Sequence, residues 1–363
     1  MEANTILSSL SGAELKEVKI ISDCIVNGAR ELCISVKLRC NDTALQDKRV
    51  KVCDYISTWL VSKSKVQKQS TFDRLESTVT NQILPAFGNM YLDEISTEYV
   101  QSILDDYADY YSYSTLTKAY QCLNAVLKDA NRHHIIAENP MDFVVLPKND
   151  GRTLRDIVVY SPDECARIVD AALQQENGYL LEPLAPLLPF LLHTGLRIGE
   201  ALALRWNDVD KENHFVRIRK NVKAVKNRSG GMDEPHYIIV EQRTPKTKSS
   251  LRTIPLNHPA QAALNALSSH HEQTELIFAA KDGNHLSYAS ARRMLERVCS
   301  RANVSIRGFH AFRHTFATNL FANGVEVKTV SKILGHSSVK ITYDIYIHSI
   351  QEQEARAVAL LEK

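Results

Sequence analysis

The stretch GFHAFRHTFATNLFANG, residues 308–324, places His310, Arg313 and His314 within five positions of an otherwise apolar helical segment. His310 and Arg313 stand three residues apart, so one helical turn brings both to the same face. Phe312, Phe316 and Leu320 follow the apolar face. Taken alone, a capping His310 and a surface ion pair at Arg313 account for the stretch as well as a functional site does. The segments on either side decide between them.

Upstream, in HTGLRIGEALALRW (193–206), Arg197 lies between Gly195 and a renewed apolar periodicity at Ile198, Ala201, Leu202 and Leu204. That position is near a helix start, where a cation opposes the helix dipole at a cost of a few tenths to about 1 kcal/mol unless an anion is nearby. An anion site is therefore expected at Arg197. Downstream, in VSKILGHSSVKITYDIYIH (330–348), Gly335 ends a short helix and His336 follows directly, with Tyr343 and Tyr346 further on.

The rest of the 363-residue chain has the composition of an ordinary globular protein. Lys and Arg (44) nearly cancel Asp and Glu (42), so the net charge of +2 neither supports nor excludes a nucleic-acid partner. The cysteines at 24, 33, 40, 53, 122, 165 and 299 form no C-x-x-C pair and are odd in number, which does not read as a disulfide framework. No basic leader precedes an apolar core, and no run approaches the roughly 18 apolar residues of a membrane span. A reducing cytoplasm is the expected location, with no membrane partner.

Residues 1–49 remain open, because IISDCIVNG and ELCISVKLRC suit helix or strand equally. Residues 50–147 read as a helical bundle: YISTWLVSK, then LESTVTNQILPAFG with Pro85 and Gly88 as its end, then a helix from Ser114. Leu116, Tyr120, Leu123, Leu127 and Ala130 share one face of that helix and read as core. Residues 148–157, which combine Gly151 with charge and little hydrophobicity, read as a linker to a second domain over 158–363. There, SPDECARIVDAAL opens with a hydroxyl cap, a proline in the first turn and acids near the positive dipole end. HFVRIRK and HYIIVEQ read as strands around the loop SGGMDEP, and after LRTIPL the chain returns to helices. The expected fold is mainly α with a small antiparallel β-sheet.

TGLRIGEALALRW, HAFRHTFATNL and LGHSSVKITYDIYIH resemble, in order and separation, the three signature boxes of the tyrosine recombinases, the phage-integrase family. TFDRLESTVTNQILPAFG and YLDEIS resemble, more loosely, that family's helical core-binding domain, so the likeness spans roughly residues 50–363. It implies a helical core-binding domain joined to an α+β catalytic domain. It also implies a site-specific DNA recombinase, the integrase of a mobile element, working through a 3′-phosphotyrosyl intermediate. A homo-tetramer assembled on two double-stranded DNA sites is implied, with accessory DNA-bending or directionality proteins as further partners.

The chemistry of the residues fits that assignment independently. Arg197 and Arg313 carry planar guanidiniums able to grip the non-bridging oxygens of a phosphodiester bidentately. Tyr346 is the nucleophile the resemblance implies, being followed by Ile347 and His348 like the family's Tyr-x-His ending, with Tyr343 its rival. His310 resembles the residue placed as proton acceptor, and His336 the one that hydrogen-bonds the scissile phosphate. His314 is assigned to structure, and Glu200 to a buried partner that orients basic groups.

Residues 217–252 hold ten Lys or Arg against three Asp or Glu. Within them RTPKTKSSLRTIPL resembles the family's lysine hairpin, with Lys246 as proton donor to the leaving oxygen and Lys248 as the alternative. Lys63, Lys65, Lys68, Lys248 and Arg252 are the candidate DNA contacts. No metal or other cofactor is expected, because the histidines are interleaved with arginines and acid clusters are absent. Non-catalytic DNA regulation on the same fold, DNA relaxation and a metal-dependent nuclease are the alternatives, and an intact tyrosine among arginines argues against the first.

Overall fold

A computed structural model describes residues 15–26, 29–38, 49–148, 158–229, 234–242, 251–268, 274–343 and 346, with backbone alone for 15–26 and 29–38. Lys246, Lys248, the C-terminal segment beyond Tyr346 and all but Lys148 of the expected linker lie outside these residues. The chain divides into two compact units, Met1–Thr153 and Leu154–Lys363.

The segment left open between helix and strand is extended. β1 (Leu15–Val26) pairs antiparallel with β2 (Ala29–Leu38), setting Val26 opposite Ala29 and Ile20 opposite Ile34. Val18, Ile20, Ile21, Ile25, Val26, Ile34 and Val36 supply the β-branched content that favours extended backbone.

The rest of the first unit is helical, beginning with α1 (Val52–Val66) and α2 (Gln69–Thr78). Pro85 does not end the helix as expected. A π-helical turn over Val79–Ile83 leads into α3 (Leu84–Phe87), which carries Pro85 in its first turn and ends at Gly88. A first-turn proline is tolerated because its missing N–H has no intrahelical bond to lose, and the wider π turn makes room for the restart.

α4 (Thr97–Tyr110) and α5 (Tyr113–Arg132) are capped by Ser96 and Ser112, whose hydroxyls accept from the Tyr99 and Thr115 N–H groups. Each such cap contributes about 1 kcal/mol. On α5, Leu116, Leu123, Leu127 and Ala130 are buried as their spacing requires, and Tyr120 packs half-buried at the edge of the stripe. They meet Ile56, Trp59, Ile83, Phe87 and Leu104 in the core of this unit.

The second unit opens with α6 (Pro162–Leu173). Ser161 accepts from the Glu164 N–H, the Glu164 carboxylate accepts from the Ser161 N–H, and Pro162 sits in the first turn. The short strands β3 (Gln175–Glu176) and β4 (Tyr179–Leu180) precede α7 (Leu187–Thr194), buried along its length except at His193. Gly195 ends α7 with φ 63°, and the one-turn α8 (Ile198–Ala201) follows.

Then come β5 (Val209–Asp210), β6 (Phe215–Ile218), β7 (Asn221–Lys226), β8 (Tyr237–Gln242) and β9 (Arg252–Pro255). β5, β6 and β9 form one antiparallel sheet in that order, and β7 pairs with β8. The expected strands in HFVRIRK and HYIIVEQ are β6 and β8.

The chain continues through α9 (His258–Ser268), α10 (Tyr288–Arg301), α11 (Phe309–Ala322) and α12 (Val327–Leu334). Phe190, Phe278, Leu295 and Phe312 sit in one core, and the Phe312 ring lies 5.0 Å from that of Tyr160. The apolar side of the opening stretch thus anchors α11. Truncating such a phenylalanine typically costs about 3–5 kcal/mol.

Candidate active site

The tight turn at Gly195 fixes where Arg197 stands. A Cβ at Gly195 would lie 2.4 Å from Cδ1 of Phe316, so the end of α7 rests directly on the α11 ring face. Arg197 then has extended backbone at the N-cap of α8. Glu200 Oε2 accepts from its backbone N–H at 3.0 Å, and Oε1 accepts from its Nη1 at 3.0 Å. The side chain remains 37% exposed toward the cavity described below.

Glu200 also accepts from Arg252 Nη1 at 3.1 Å and Nη2 at 2.8 Å. Burial works against its ionisation, yet the hydrogen bond and charge of Arg252, with the charge of Arg197, hold the carboxyl below its ordinary range. Arg252 corrects an expectation. It was a candidate phosphate contact, but its side chain is 6% exposed, paired with Glu200, and donates from Nε to the Ile333 carbonyl at 2.6 Å. Strand alternation explains this, since Arg252 and the buried Ile254 share one face of β9.

Arg313 is buried on α11. It donates from Nη1 to Gly195 O at 2.9 Å and from Nη2 to Leu334 O at 2.7 Å. These carbonyls lie at the C-terminal ends of α7 and α12, where the dipoles favour a cation. Burial first, then the charge of Arg197, push Arg313 down to about 9, which leaves it protonated at neutral pH.

His336 follows Gly335, whose φ of 67° closes α12. Its N–H donates to Ser331 O at 3.1 Å, and Nδ1 lies 2.7 Å from the hydroxyl of the buried Thr342. Burial, then Arg313 and Arg197, push this imidazole down to about 4, so it is neutral. His310 stands exposed in the cavity wall, where desolvation and then the charges of Arg313 and Arg197 lower its pKa.

Tyr346 is 3% exposed and its ring packs 5.3 Å from that of Phe321, in a cluster with Ala317, Val330 and Leu334. Its hydroxyl lies 2.8 Å from Nδ1 of His314. Burial pushes the phenol up to about 12, with Arg313 pulling the other way. Burial, then His310 and Arg313, lower the pKa of His314. Both groups are neutral at pH 7, and with the imidazole proton on Nε2 the phenol donates and Nδ1 accepts. Tyr343, the rival, is 42% exposed and does not line the cavity.

Arg197, His310, Arg313, His336 and Tyr346 thus line one cavity of about 530 Å³, with Arg219, Lys220 and Lys223 adding basic groups. Sequence reasoning gave His314 a structural role, yet it sits on the tyrosine hydroxyl. The signal was present: His314 lies four residues after His310, on the same helical face. Lys63, Lys65 and Lys68 belong to the other unit. Lys65 and Lys68 are exposed, while the Lys63 ammonium stands 5.1 Å over the Trp59 ring. Among the described residues no set of three His, Cys, Asp or Glu gathers as a metal site, and no helix is long and apolar enough to cross a membrane.

Two guanidiniums held by carbonyls and a carboxylate, neutral imidazoles and a buried phenol make up a phosphoryl-transfer site of the tyrosine-nucleophile class. Comparison with known proteins agrees. The Phage integrase family matches residues 159–353, and the Phage integrase, N-terminal SAM-like domain matches residues 52–107. A tyrosine recombinase XerC-like protein of Caldanaerobacter subterraneus subsp. tengcongensis is 30% identical, over 96% of this chain and 90% of that protein. The integrase of Staphylococcus phage L54a is 24% identical, over 85% of this chain and 91% of its own length. In fold, the chain resembles the Tn1549 transposon integrase in complex with transposon right end DNA (TM-score 0.67, 22% identity, 85% of this chain and 99% of that one). It also resembles a lambda integrase dimer bound to a COC′ core site (TM-score 0.58, 17% identity, 82% and 95%). The chain belongs to the phage integrase family and is a tyrosine-type site-specific recombinase.

Proposed function

We propose that this recombinase integrates and excises a mobile element by cutting and rejoining one DNA strand at a time through Tyr346. The phenol oxygen attacks the scissile phosphorus, forms a 3′-phosphotyrosyl bond and releases a 5′-hydroxyl. Arg197 and Arg313 grip the non-bridging oxygens, where charge builds in the transition state. Losing either removes about 3–4 kcal/mol of stabilisation, roughly a hundredfold to a thousandfold in rate. Neutral His336 accepts a hydrogen bond from the Thr342 hydroxyl on Nδ1, which leaves Nε2–H to donate to the phosphate. Lys246 protonates the departing 5′-oxygen.

The ester keeps the energy of the broken linkage, so religation needs no ATP, and no step calls for a metal. Residues 50–147 also bind the DNA, with Lys63, Lys65 and Lys68 on phosphates. The lambda integrase tetramer bound to a Holliday junction supports assembly of four protomers on two sites here, with accessory DNA-bending proteins as partners.

The observation that carries this reading is the convergence of Arg197, Arg313, His336 and Tyr346 on one cavity from distant parts of the sequence. The test is incubation with a nicked suicide substrate in EDTA, followed by a denaturing gel and mass spectrometry of the crosslinked peptide. The expected adduct sits on Tyr346, and Tyr346→Phe abolishes it while DNA binding persists. No adduct, or one on Tyr343, refutes the assignment, and an EDTA-sensitive free cut points to a nuclease.

A further inference from the structure

We infer that His314, rather than His310, takes the proton from Tyr346 as the phenol attacks phosphorus. The inference rests on the reading of Tyr346 as nucleophile. Among the described residues His314 is the group within hydrogen-bond distance of the phenol, with Nδ1 at 2.8 Å from the hydroxyl. That separation falls inside the range a general base needs before any motion. The ring of His310 lies one helical turn away, 6.5 Å from that of His314 between centroids, on the exposed side of the cavity.

His310 and Arg313 face His314 from its own helix, Tyr346 from the C-terminal segment, and His336 from the segment after α12, with Arg197 at the N-cap of α8 on the same cavity. Glu200, the carboxylate that also lines this cavity, is paired with Arg197 and Arg252, and burial, His310 and Arg313 all disfavour the charged ring, so the resting imidazole is neutral and ready to accept. A bound phosphate places negative charge between Arg197 and Arg313 and makes an imidazolium at 314 easier to form. The base therefore strengthens when the substrate is in place.

In the forward step the Tyr346 Oη–P bond forms, the P–O5′ bond breaks, the phenol proton moves to Nδ1 of His314, and the 5′-oxygen takes its proton from Lys246. In religation the 5′-hydroxyl returns its proton to that lysine, and the His314 imidazolium protonates the departing phenolate.

The experiment measures single-turnover adduct formation by the full chain on a nicked suicide substrate, from pH 6 to pH 9. The wild-type protein, His314→Gln, His314→Ala and His310→Gln are compared. His314→Gln keeps a polar side chain that cannot take up the proton, and its rate should fall about 10²- to 10⁴-fold with DNA binding retained. Above neutrality its rate should climb by about tenfold per pH unit, because only the ionised fraction of Tyr346 reacts. The wild type and His310→Gln should stay flat there. Added imidazole should restore part of the His314→Ala rate.

A His314→Gln rate within about threefold of wild type, a wild-type alkaline profile, or a faster reaction that marks the contact as a resting lock would each overturn the proposal. Absence of a Tyr346 adduct in the wild type would instead remove the nucleophile reading, and this inference with it.

Discussion

Glu200→Gln tests how the arginines are held. The Glu200 carboxylate, 5% exposed, accepts four hydrogen bonds: from Arg252 at 3.1 and 2.8 Å, from Arg197 Nη1 at 3.0 Å and from the Arg197 backbone at 3.0 Å. The amide preserves volume but removes the charge, and its NH₂ turns a donor toward donors. Arg252, 6% exposed, then loses the charge that balances it. Removing one partner of such a buried pair costs about 3–5 kcal/mol, a large part of the roughly 5–15 kcal/mol that holds a domain folded. For a unit of this size that corresponds to a fall in melting temperature of roughly 6–20 °C.

The double variant Glu200→Leu with Arg252→Leu should recover much of that stability, since both desolvation penalties disappear. It should not recover cleavage, because Arg197 still lacks the carboxylate that orients it. Thermal unfolding and single-turnover adduct formation read the two effects separately. The pH dependence has a defined sign. Glu200 has a depressed pKa in the folded state, so its contribution is present above the ordinary carboxyl value of about 4.3 and is lost as pH falls through the folded value. The stability gap between wild type and Glu200→Gln should therefore be full at neutrality and close in acid. Equal melting of the two proteins at neutral pH, or a double variant no more stable than Glu200→Gln, would refute the clamp.

Gly195→Ala should destabilise the catalytic unit and slow cleavage, because φ is 63° and the new methyl meets the Phe316 ring at 2.4 Å; adding Phe316→Ala should relieve the clash but leave about 1 kcal/mol of backbone strain, read from denaturation midpoints. Tyr346, raised to about 12, should contribute stability fully present below pH 10 and lost as pH rises through 12, so ultraviolet titration against Tyr346→Phe should show one late-ionising phenol. Lys246→Ala should slow cleavage at a normal 5′-oxygen but spare a 5′-sulfur substrate, whose leaving group needs no proton; equal loss on both would reject the general-acid role. Replacing Lys63, Lys65 and Lys68 together by Gln should flatten the slope of log K against log salt by up to about 2.7; an unchanged slope would mean that these lysines are only solvated.

What the sequence made legible depended on how local each cause is. The cap at Ser161, the glycine stops at 195 and 335 and the apolar stripe of α5 rest on neighbours within a turn or two, and each stands where its local pattern puts it. The β1–β2 hairpin was readable as well, since Asn27-Gly28 between apolar runs is a strong hairpin signal, but ambiguous periodicity alone left it open. Other features depend on pairings across the fold. Glu200 meets Arg252 across 52 positions, and His314 meets Tyr346 across 32. Periodicity assigns each of these side chains to a face but cannot say which group occupies the opposite wall. Arg252 was therefore expected on phosphate and His314 in a structural role, when the first balances a buried acid and the second touches the Tyr346 hydroxyl. A basic residue inside a charged stretch reads as a phosphate contact until its strand neighbours are considered: β9 alternates, Ile254 points inward, and Arg252 follows it to the only buried carboxylate among the described residues that faces it.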